Sequence, residues 1–361
     1  MKRLRIYDIC LPKETFRWTS ENSKDEYFYI DLSSVDRESR RISDPILINE
    51  SNAPSRAKQK IRFGDILFAT TRPLLKRSCI VPEEYDGHIC STGFCLVRPN
   101  TTVVLSSWLH YCLCSQRFYD YIEPLQKGIS YPAVSDKEVY DYKIFLPTLE
   151  IQKSIASELD AIQTIINSYK EQISDLNELA KSTFFVMFGD PIVNDKGWDL
   201  CNVIDVVKFQ RGFDLPIQSR EGNGNIPIYG SNGIIGRHNE SMVNFGIITG
   251  RSGTLGEVYA CDEPFWPLNT TLFSIDTHGN NIVFLKYLMT YYHLERFKSG
   301  SGVPTLNRNN FHNKAIPKIP FTLQEEFANK IKHIELQQRL IIEQLKDAEQ
   351  LMAERMQYYF S

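Results

Sequence analysis

The sequence predicts an α+β fold built twice: two mixed α/β globular parts, each followed by one long helix, with the two helices pairing as an antiparallel coiled coil. Three observations carry that prediction. Ile155, Leu159, Ile162, Ile166, Tyr169, Ile173, Leu176 and Ala180 alternate steps of four and three, the seam of a coiled-coil helix. Adding 172 to each number gives a second seam: Phe327, Ile331, Ile334, Gln338, Ile341, Leu345, Ala348 and Met352. Both copies end in aromatics, Phe184, Phe185 and Phe188 in the first and Tyr358, Tyr359 and Phe360 in the second.

Length and composition fit this layout. A chain of 361 residues with 42% hydrophobic residues can build two ordinary cores. No apolar run approaches the ~20 residues of a membrane span, and the basic start Met1-Lys-Arg-Leu-Arg5 has no apolar segment behind it, so it does not read as a signal peptide. The eight cysteines form no CxxC pair and read as reduced thiols, so a cytoplasmic protein without membrane contact is expected. The net charge is −3. Residues 1–148 carry 21 basic against 19 acidic side chains, or +2, and 149–188 carry 3 against 6, or −3. Residues 189–320 balance at 12 against 12, and 321–361 carry 5 against 7, or −2. Any nucleic-acid contact must therefore use local basic clusters, or share phosphate neutralisation with a partner.

The elements follow in order. Tyr27-Phe-Tyr-Ile-Asp-Leu32 reads as a strand, and Phe63-Gly-Asp-Ile-Leu-Phe-Ala69 leads a strand into the basic loop Thr70–Arg77. Ser91–Val97 is a further strand candidate, and Trp108–Tyr121 has helical spacing. The loop Lys127–Pro132 follows, and Ile144-Phe-Leu-Pro147 delivers the chain to the first long helix. The second half repeats the order. Phe245-Gly-Ile-Ile-Thr leads into Gly250-Arg-Ser-Gly-Thr-Leu-Gly256, and Phe284-Leu-Lys-Tyr-Leu-Met matches Trp108-Leu-His-Tyr-Cys-Leu. Gly300-Ser-Gly-Val-Pro304 matches Gly128-Ile-Ser-Tyr-Pro132 at the same offset, whereas 22–60 and 210–242 diverge. Thr148 and the pair Thr322/Glu325 are candidate helix caps; Gly189 and Pro191 stop the first helix. Gln338 in an apolar seam reads either as a register device or as a locally solvated position. Trp18, Trp108 and Trp266 read as core.

A catalytic constellation does not emerge. Asp190-Pro191 lacks the second proline and the aromatic of a base-flipping methyltransferase motif, and a helix stop explains it. The Gly250–Gly256 run does not have phosphate-loop or dinucleotide spacing. The seven histidines show no HExxH and no metal-ligand pair; there is no GxSxG, and no nuclease carboxylate triplet stands out. What remains is recognition by side chains that read phosphates and base edges. In the first half the candidates are Lys58, Lys60, Arg62, Thr71, Arg72, Lys76, Arg77, Lys127 and Tyr131. In the second they are Arg211, Arg220, Asn232, Arg237, Arg251, Thr254, Asn269, Lys298, Arg308 and Asn309. Each alone could be ordinary solvated surface; their recurrence at corresponding loops of both halves is harder to dismiss.

The duplicated order resembles the specificity (S) subunit of type I restriction–modification systems across essentially the whole chain. The strings that carry the resemblance are Leu146-Pro-Thr-Leu-Glu-Ile-Gln-Lys-Ser-Ile-Ala-Ser-Glu-Leu-Asp160, Ser182-Thr-Phe-Phe-Val-Met-Phe-Gly-Asp-Pro191, the Gly250–Gly256 loop and Ser301-Gly-Val-Pro-Thr-Leu-Asn307. The resemblance implies target recognition domains at 1–147 and 189–320, a central coiled-coil helix at 148–188 that spaces them and binds partners, and a C-terminal coiled-coil helix at 321–361. It implies a non-catalytic subunit in which each domain reads half of a bipartite, asymmetric site in double-stranded DNA, while the helices dock two methyltransferase subunits. No cofactor is expected in this chain. S-adenosylmethionine would belong to the methyltransferase partners, and ATP with magnesium to a restriction subunit where one is present. One departure from the family pattern is that the chain opens directly at a recognition domain. Helices of about 38 residues span roughly 57 Å, or at most ~17 base pairs between half-sites. Two other readings stay open at this point: a coiled-coil scaffold for proteins, and a methyltransferase or nuclease with its own active site.

Overall fold

Two helices of 40 residues, Leu149–Phe188 and Phe321–Phe360, set the frame of the protein, here a computed structural model describing residues 3–22, 24–220, 224–300 and 304–361. Adding 172 to both ends of the first helix gives both ends of the second, so the duplication is exact at the level of the helices. Every seam residue is buried or half-buried. The chain divides into two compact units, Met1–Lys170 with Glu343–Ser361, and Glu171–Ile342. Each therefore contains a globular part and a stretch of both helices.

In the first unit a four-stranded antiparallel sheet runs Cys10–Leu11, Phe94–Pro99, Ile66–Ala69, Ser78–Ile80. A second, five-stranded sheet runs Glu14–Thr15, Ala57–Lys60, Ile89–Ser91, Tyr27–Ile30, Ile46–Ile48. The expected helix over Trp108–Tyr121 is two helices, Ser106–Leu113 and Gln116–Ile122. Ser115 breaks the run by capping the second helix, its hydroxyl accepting from the Phe118 amide at 3.2 Å. Ile155, Ala156 and Leu159 of the first long helix and Phe360 of the second join Trp108, Leu109 and Phe118 in one core. The helix segments run antiparallel: Glu158 accepts from the Tyr359 hydroxyl at 2.6 Å and pairs with Arg355 at 3.0 Å, and Lys170 lies 3.5 Å from Glu349.

The second unit repeats the four-stranded sheet as Lys208–Arg211, Thr271–Asp276, Gly246–Gly250, Val258–Cys261. Its other main sheet has three strands, Gly233–His238, Ile226–Gly230 and Trp266–Pro267, where the first unit has five. Phe184, Phe188, Phe284, Phe327 and Ile331 form the centre of its core. Gln338 donates to Asn177 at 2.9 Å, a polar pair in an otherwise apolar seam. Trp108 and Trp266 are buried, and Trp18 packs on the Phe16 cluster.

The helix ends refine the capping expectations. Gly189 takes the left-handed conformation (φ 74°), which favours glycine at this helix end. Thr322 falls inside the first turn of the second helix, so it is not the cap. Glu325 accepts from the Asn281 side chain at 2.7 Å instead of turning back on its own helix.

The same buried amide clasps each long helix to its globular part. Gln152 is fully buried; it accepts from the Leu105 amide at 2.8 Å and donates to the carbonyls of Val103 (3.0 Å) and Pro147 (2.9 Å). Gln324, at the equivalent position, accepts from the Asn281 amide at 3.0 Å and donates to Asn280 Oδ1 (2.7 Å) and the Ile319 carbonyl (2.9 Å). Replacing Gln152 by Leu leaves buried polar groups without partners, and a loss of roughly 1–3 kcal/mol is expected. Urea unfolding checks this, with an unshifted midpoint counting against the clasp; Gln324→Leu should behave alike.

Candidate nucleic-acid interface

The loops that follow the third strand of each four-stranded sheet are held by one hydrogen-bond pattern. In the first unit, Lys127 and Ala133 exchange backbone hydrogen bonds (2.8 and 2.9 Å), Thr71 bridges Ala133, and the Thr70 carbonyl accepts from the Val134 amide at 3.0 Å. In the second, Ser299 pairs with Thr305, Ser252 bridges Thr305, and the Arg251 carbonyl accepts from the Leu306 amide at 2.7 Å. Ser299, Thr305 and Leu306 are Lys127, Ala133 and Val134 displaced by 172. Two loops distant in sequence are thus clamped side by side in each unit, on the same scaffold but with different side chains. Of the expected match between Gly128–Pro132 and Gly300–Pro304, residues Ser301, Gly302 and Val303 lie outside the described residues.

Arg72 and Lys76 both sit in the left-handed region (φ 51° and 58°), a conformation that non-glycine residues seldom adopt. The Arg72 guanidinium lies 4.6 Å from the Tyr131 ring centroid and donates to the Ser130 carbonyl at 3.2 Å, while its amide donates to Pro132 at 2.7 Å. Arg72 and Tyr131 thus form a stacked cation and ring beside Ile129, all of them exposed. Lys127 stands in solvent 3.7 Å from Glu138, a contact that holds it weakly, and Lys76 lies over the Tyr119 ring at 5.0 Å.

The other candidates of this unit are not part of the clamp. Lys58 and Lys60 lie on the Ala57–Lys60 strand. Arg62 pairs with Glu14 at 3.0 Å and approaches Asp86 at 4.0 Å. Its guanidinium holds the Glu14 carboxyl below the usual range, aided by Arg98 and against some burial. Arg77 donates to the carbonyls of Leu32 (2.9 Å) and Val35 (2.7 Å).

In the second unit Arg211, Arg251, Arg308 and Asn309 line one cleft of about 390 Å³ together with Ser299, Thr305, Leu306, Asn307 and Leu272. None of these residues is acidic. Arg211 reaches Asp214 at 3.4 Å, and Arg251 donates to the Asn269 carbonyl at 3.1 Å, so both guanidinium groups are oriented with donors to spare. Gly250 makes the turn possible: a Cβ there would stand 1.9 Å from the Thr254 carbonyl oxygen. Asn269 bonds the Asp214 carboxylate, Arg220 donates to the Leu215 carbonyl at 3.2 Å, and Arg237 donates to the Asn225 carbonyl at 2.8 Å. Asn232, Thr254 and Lys298 are exposed. Ser299, Thr305, Asn307 and Ser130 were not among the sequence candidates; only Ser299 carried a signal, its alignment with the candidate Lys127 at the offset of 172.

Residues 2–178 match the family model of the type I restriction modification DNA specificity domain. Residues 2–178 thus carry a type I specificity domain. The specificity subunit of the type I restriction enzyme HindI from Haemophilus influenzae is 26% identical over 144 residues, covering 39% of this chain and 31% of that protein. The MjaIX specificity subunit from Methanocaldococcus jannaschii is 25% identical over 139 residues, covering 34% of this chain and 32% of that protein. The matched segments thus span about a third of the length of these curated relatives. Solved folds extend the likeness to nearly the whole chain. A chain from a structure on complex assembly and conformational transition of the type I R-M system has a TM-score of 0.60 at 24% identity, covering 99% of this chain and 97% of its own length. The type I S subunit from M. genitalium has a TM-score of 0.64 at 15% identity, covering 98% and 94%. These two carry the fold: two α/β parts with long antiparallel helices. Specificity subunits of this family are non-catalytic, and the enzymatic activities of these systems lie in partner subunits. Among the described residues no group of three or more His, Cys, Asp or Glu could hold a metal ion, and no helix is long and apolar enough to cross a membrane.

Proposed function

We propose that this chain is the DNA-specificity subunit of a type I restriction–modification complex, each of its two globular parts reading one half of a bipartite, asymmetric site in double-stranded DNA. The observation that carries the reading is the loop clamp, repeated in both units with the same bridges but diverged side chains. A common scaffold with different reading groups suits two unlike half-sites. Target recognition domains at 1–147 and 189–320 are assigned on that basis, and the helices at 148–188 and 321–361 set the spacer and dock two methyltransferase subunits. Methyl transfer from S-adenosylmethionine belongs to those partners, and ATP-driven cleavage to a restriction subunit where one is encoded.

The test is to co-express the chain with the methyltransferase encoded beside it and map methylated bases across a genome. A split motif with two unlike halves and a fixed gap, absent without this chain, is expected, and exchanging residues 1–147 should change one half only. Methylation that ignores the exchange would sink the assignment. In the assembled complex, Arg251→Ala and Arg308→Ala should each weaken DNA binding and flatten its salt dependence by about one phosphate contact. An unchanged salt slope in the double variant would remove the cleft from the interface.

A further inference from the structure

Beside the first unit's core, and away from the loop clamp, lies a thiol that the recognition reading does not use. Cys114 Sγ is 3.6 Å from His110 Nε2 and 3.3 Å from Ser78 Oγ, and Ser78 Oγ is itself 3.1 Å from His110 Nε2. The three side chains close a triangle of nucleophile, base and hydroxyl. Cys114 lines a pocket of about 750 Å³ together with Arg40 and with Met352, Met356 and Phe360 of the second long helix. Tyr119, an electrostatic neighbour of both Cys114 and Arg40, has a buried hydroxyl with no hydrogen-bond partner among the described residues.

The duplication supplies an internal control. In the matching helix of the second unit, Lys286 stands where His110 does and Thr290 where Cys114 does, and Lys286 pairs with Glu335 at 3.2 Å. The scaffold therefore packs without a Cys–His pair, and its presence in one copy calls for a separate reason.

We propose that Cys114, paired with His110, is a nucleophilic thiol site that adds to small, uncharged α,β-unsaturated carbonyl compounds admitted by this pocket. The apolar wall takes the body of the ligand, and Arg40 faces its carbonyl end. In the addition, the Cys114 thiolate attacks the β-carbon and a C–S bond forms. The π pair of the C=C bond moves to the enolate, and the α-carbon takes the proton from the His110 imidazolium. Nothing leaves, and no oxidant or reductant is consumed.

Electrostatics agree with the geometry. Burial alone would push the thiol up, but the charges of His110 and Arg40 and hydrogen bonds from His110 and Ser78 outweigh it and hold Cys114 below the usual thiol range. Tyr111, Tyr119, Cys79 and Cys112 are further titratable neighbours, and burial pushes both of these thiols up to about 12; Arg117 and Asp120 also line the pocket. Glu349 is the acid on the long-helix side of the pocket.

The test is brief labelling of the native full-length chain with N-ethylmaleimide at pH 7, each cysteine peptide quantified by mass spectrometry. Exposure alone would put Cys10 and Cys201 first, since both are half-exposed while Cys114 is 8% exposed. The proposal expects Cys114 first, and His110→Gln should slow it by about tenfold or more while leaving Cys10 and Cys201 unchanged. Its labelling rate should also vary by less than about threefold between pH 6.5 and 8.5, where an ordinary thiol gains close to tenfold per unit. Where His110→Gln shifts the thermal midpoint, the pH profile of the unaltered protein decides. Labelling of Cys114 only in denaturant, or a steep rise with pH, would overturn the assignment and leave the triangle a packing feature.

Discussion

Replacing Phe184 by Ala should destabilise the second unit by about 3–5 kcal/mol, the usual cost of removing a fully buried aromatic ring. Phe184 is inaccessible to solvent and meets five other rings: Phe185, Phe188, Phe284, Tyr291 and Phe327, at centroid distances of 4.9 to 6.4 Å. It joins the end of the first long helix, the start of the second, and the Ile282–Tyr291 helix between them. The cavity penalty adds to the lost transfer energy. Val186, two residues on and exposed, is the control; Val186→Ala should stay within about 0.5 kcal/mol. Denaturant unfolding monitored by hydrogen exchange in residues 171–342 separates the two, and equal effects would mean that the ring cluster does not hold the unit together.

An effect of similar size is expected in the first unit from Arg98→Met. Asp65 is almost fully buried, and Arg98 grips it with two hydrogen bonds of 2.8 and 2.9 Å while donating to Glu14 at 2.9 Å and to the Lys60 carbonyl at 3.2 Å. Burial raises the Asp65 carboxyl even with Arg98 in place. Removing the guanidinium leaves a carboxylate with too little compensation, at a cost of about 3–5 kcal/mol at neutral pH. The sign of the pH dependence follows. A carboxyl whose folded pKa lies above its unfolded value weakens the fold where it is ionised, and the penalty fades as pH falls through the folded value. The gap between Arg98→Met and the unaltered protein should therefore narrow from pH 7 to pH 5. A gap that widens on acidification would show that the loss comes from packing and not from the orphaned charge.

The long helices were legible because their chemistry is periodic. A seam of four-and-three steps repeated at 172 specifies two helices whatever lies between them, and Gly189 marks one end by needing a left-handed turn. The start of the second helix was less legible. Thr322 with Glu325 has the spacing of a capping box, but Asn281, 44 residues away, claims the Glu325 carboxylate. The same limit applies to the basic loops. Arg62, Arg72 and Arg77 look alike in sequence, yet Arg77 is engaged by two carbonyls from residues 32 and 35, Arg62 by Glu14, and Arg72 by an exposed ring. Those partners come from other parts of the fold, and no local pattern announces them. The cleft of Arg211, Arg251 and Arg308 likewise gathers three distant segments, so its members could be named singly but not as a group.

The way the chain is divided between its units also bears on its synthesis. The second unit is one continuous stretch, Glu171–Ile342, whereas the first needs Glu343–Ser361 to finish it, with Phe360 in its core and Met352 and Met356 packed against that core. On the ribosome, the unit begun first is thus completed after the second. Its core face stays open through translation of the entire second unit, and a ribosome that stalls within the codons for residues 343–361 would leave a chain whose second unit is whole and whose first is not.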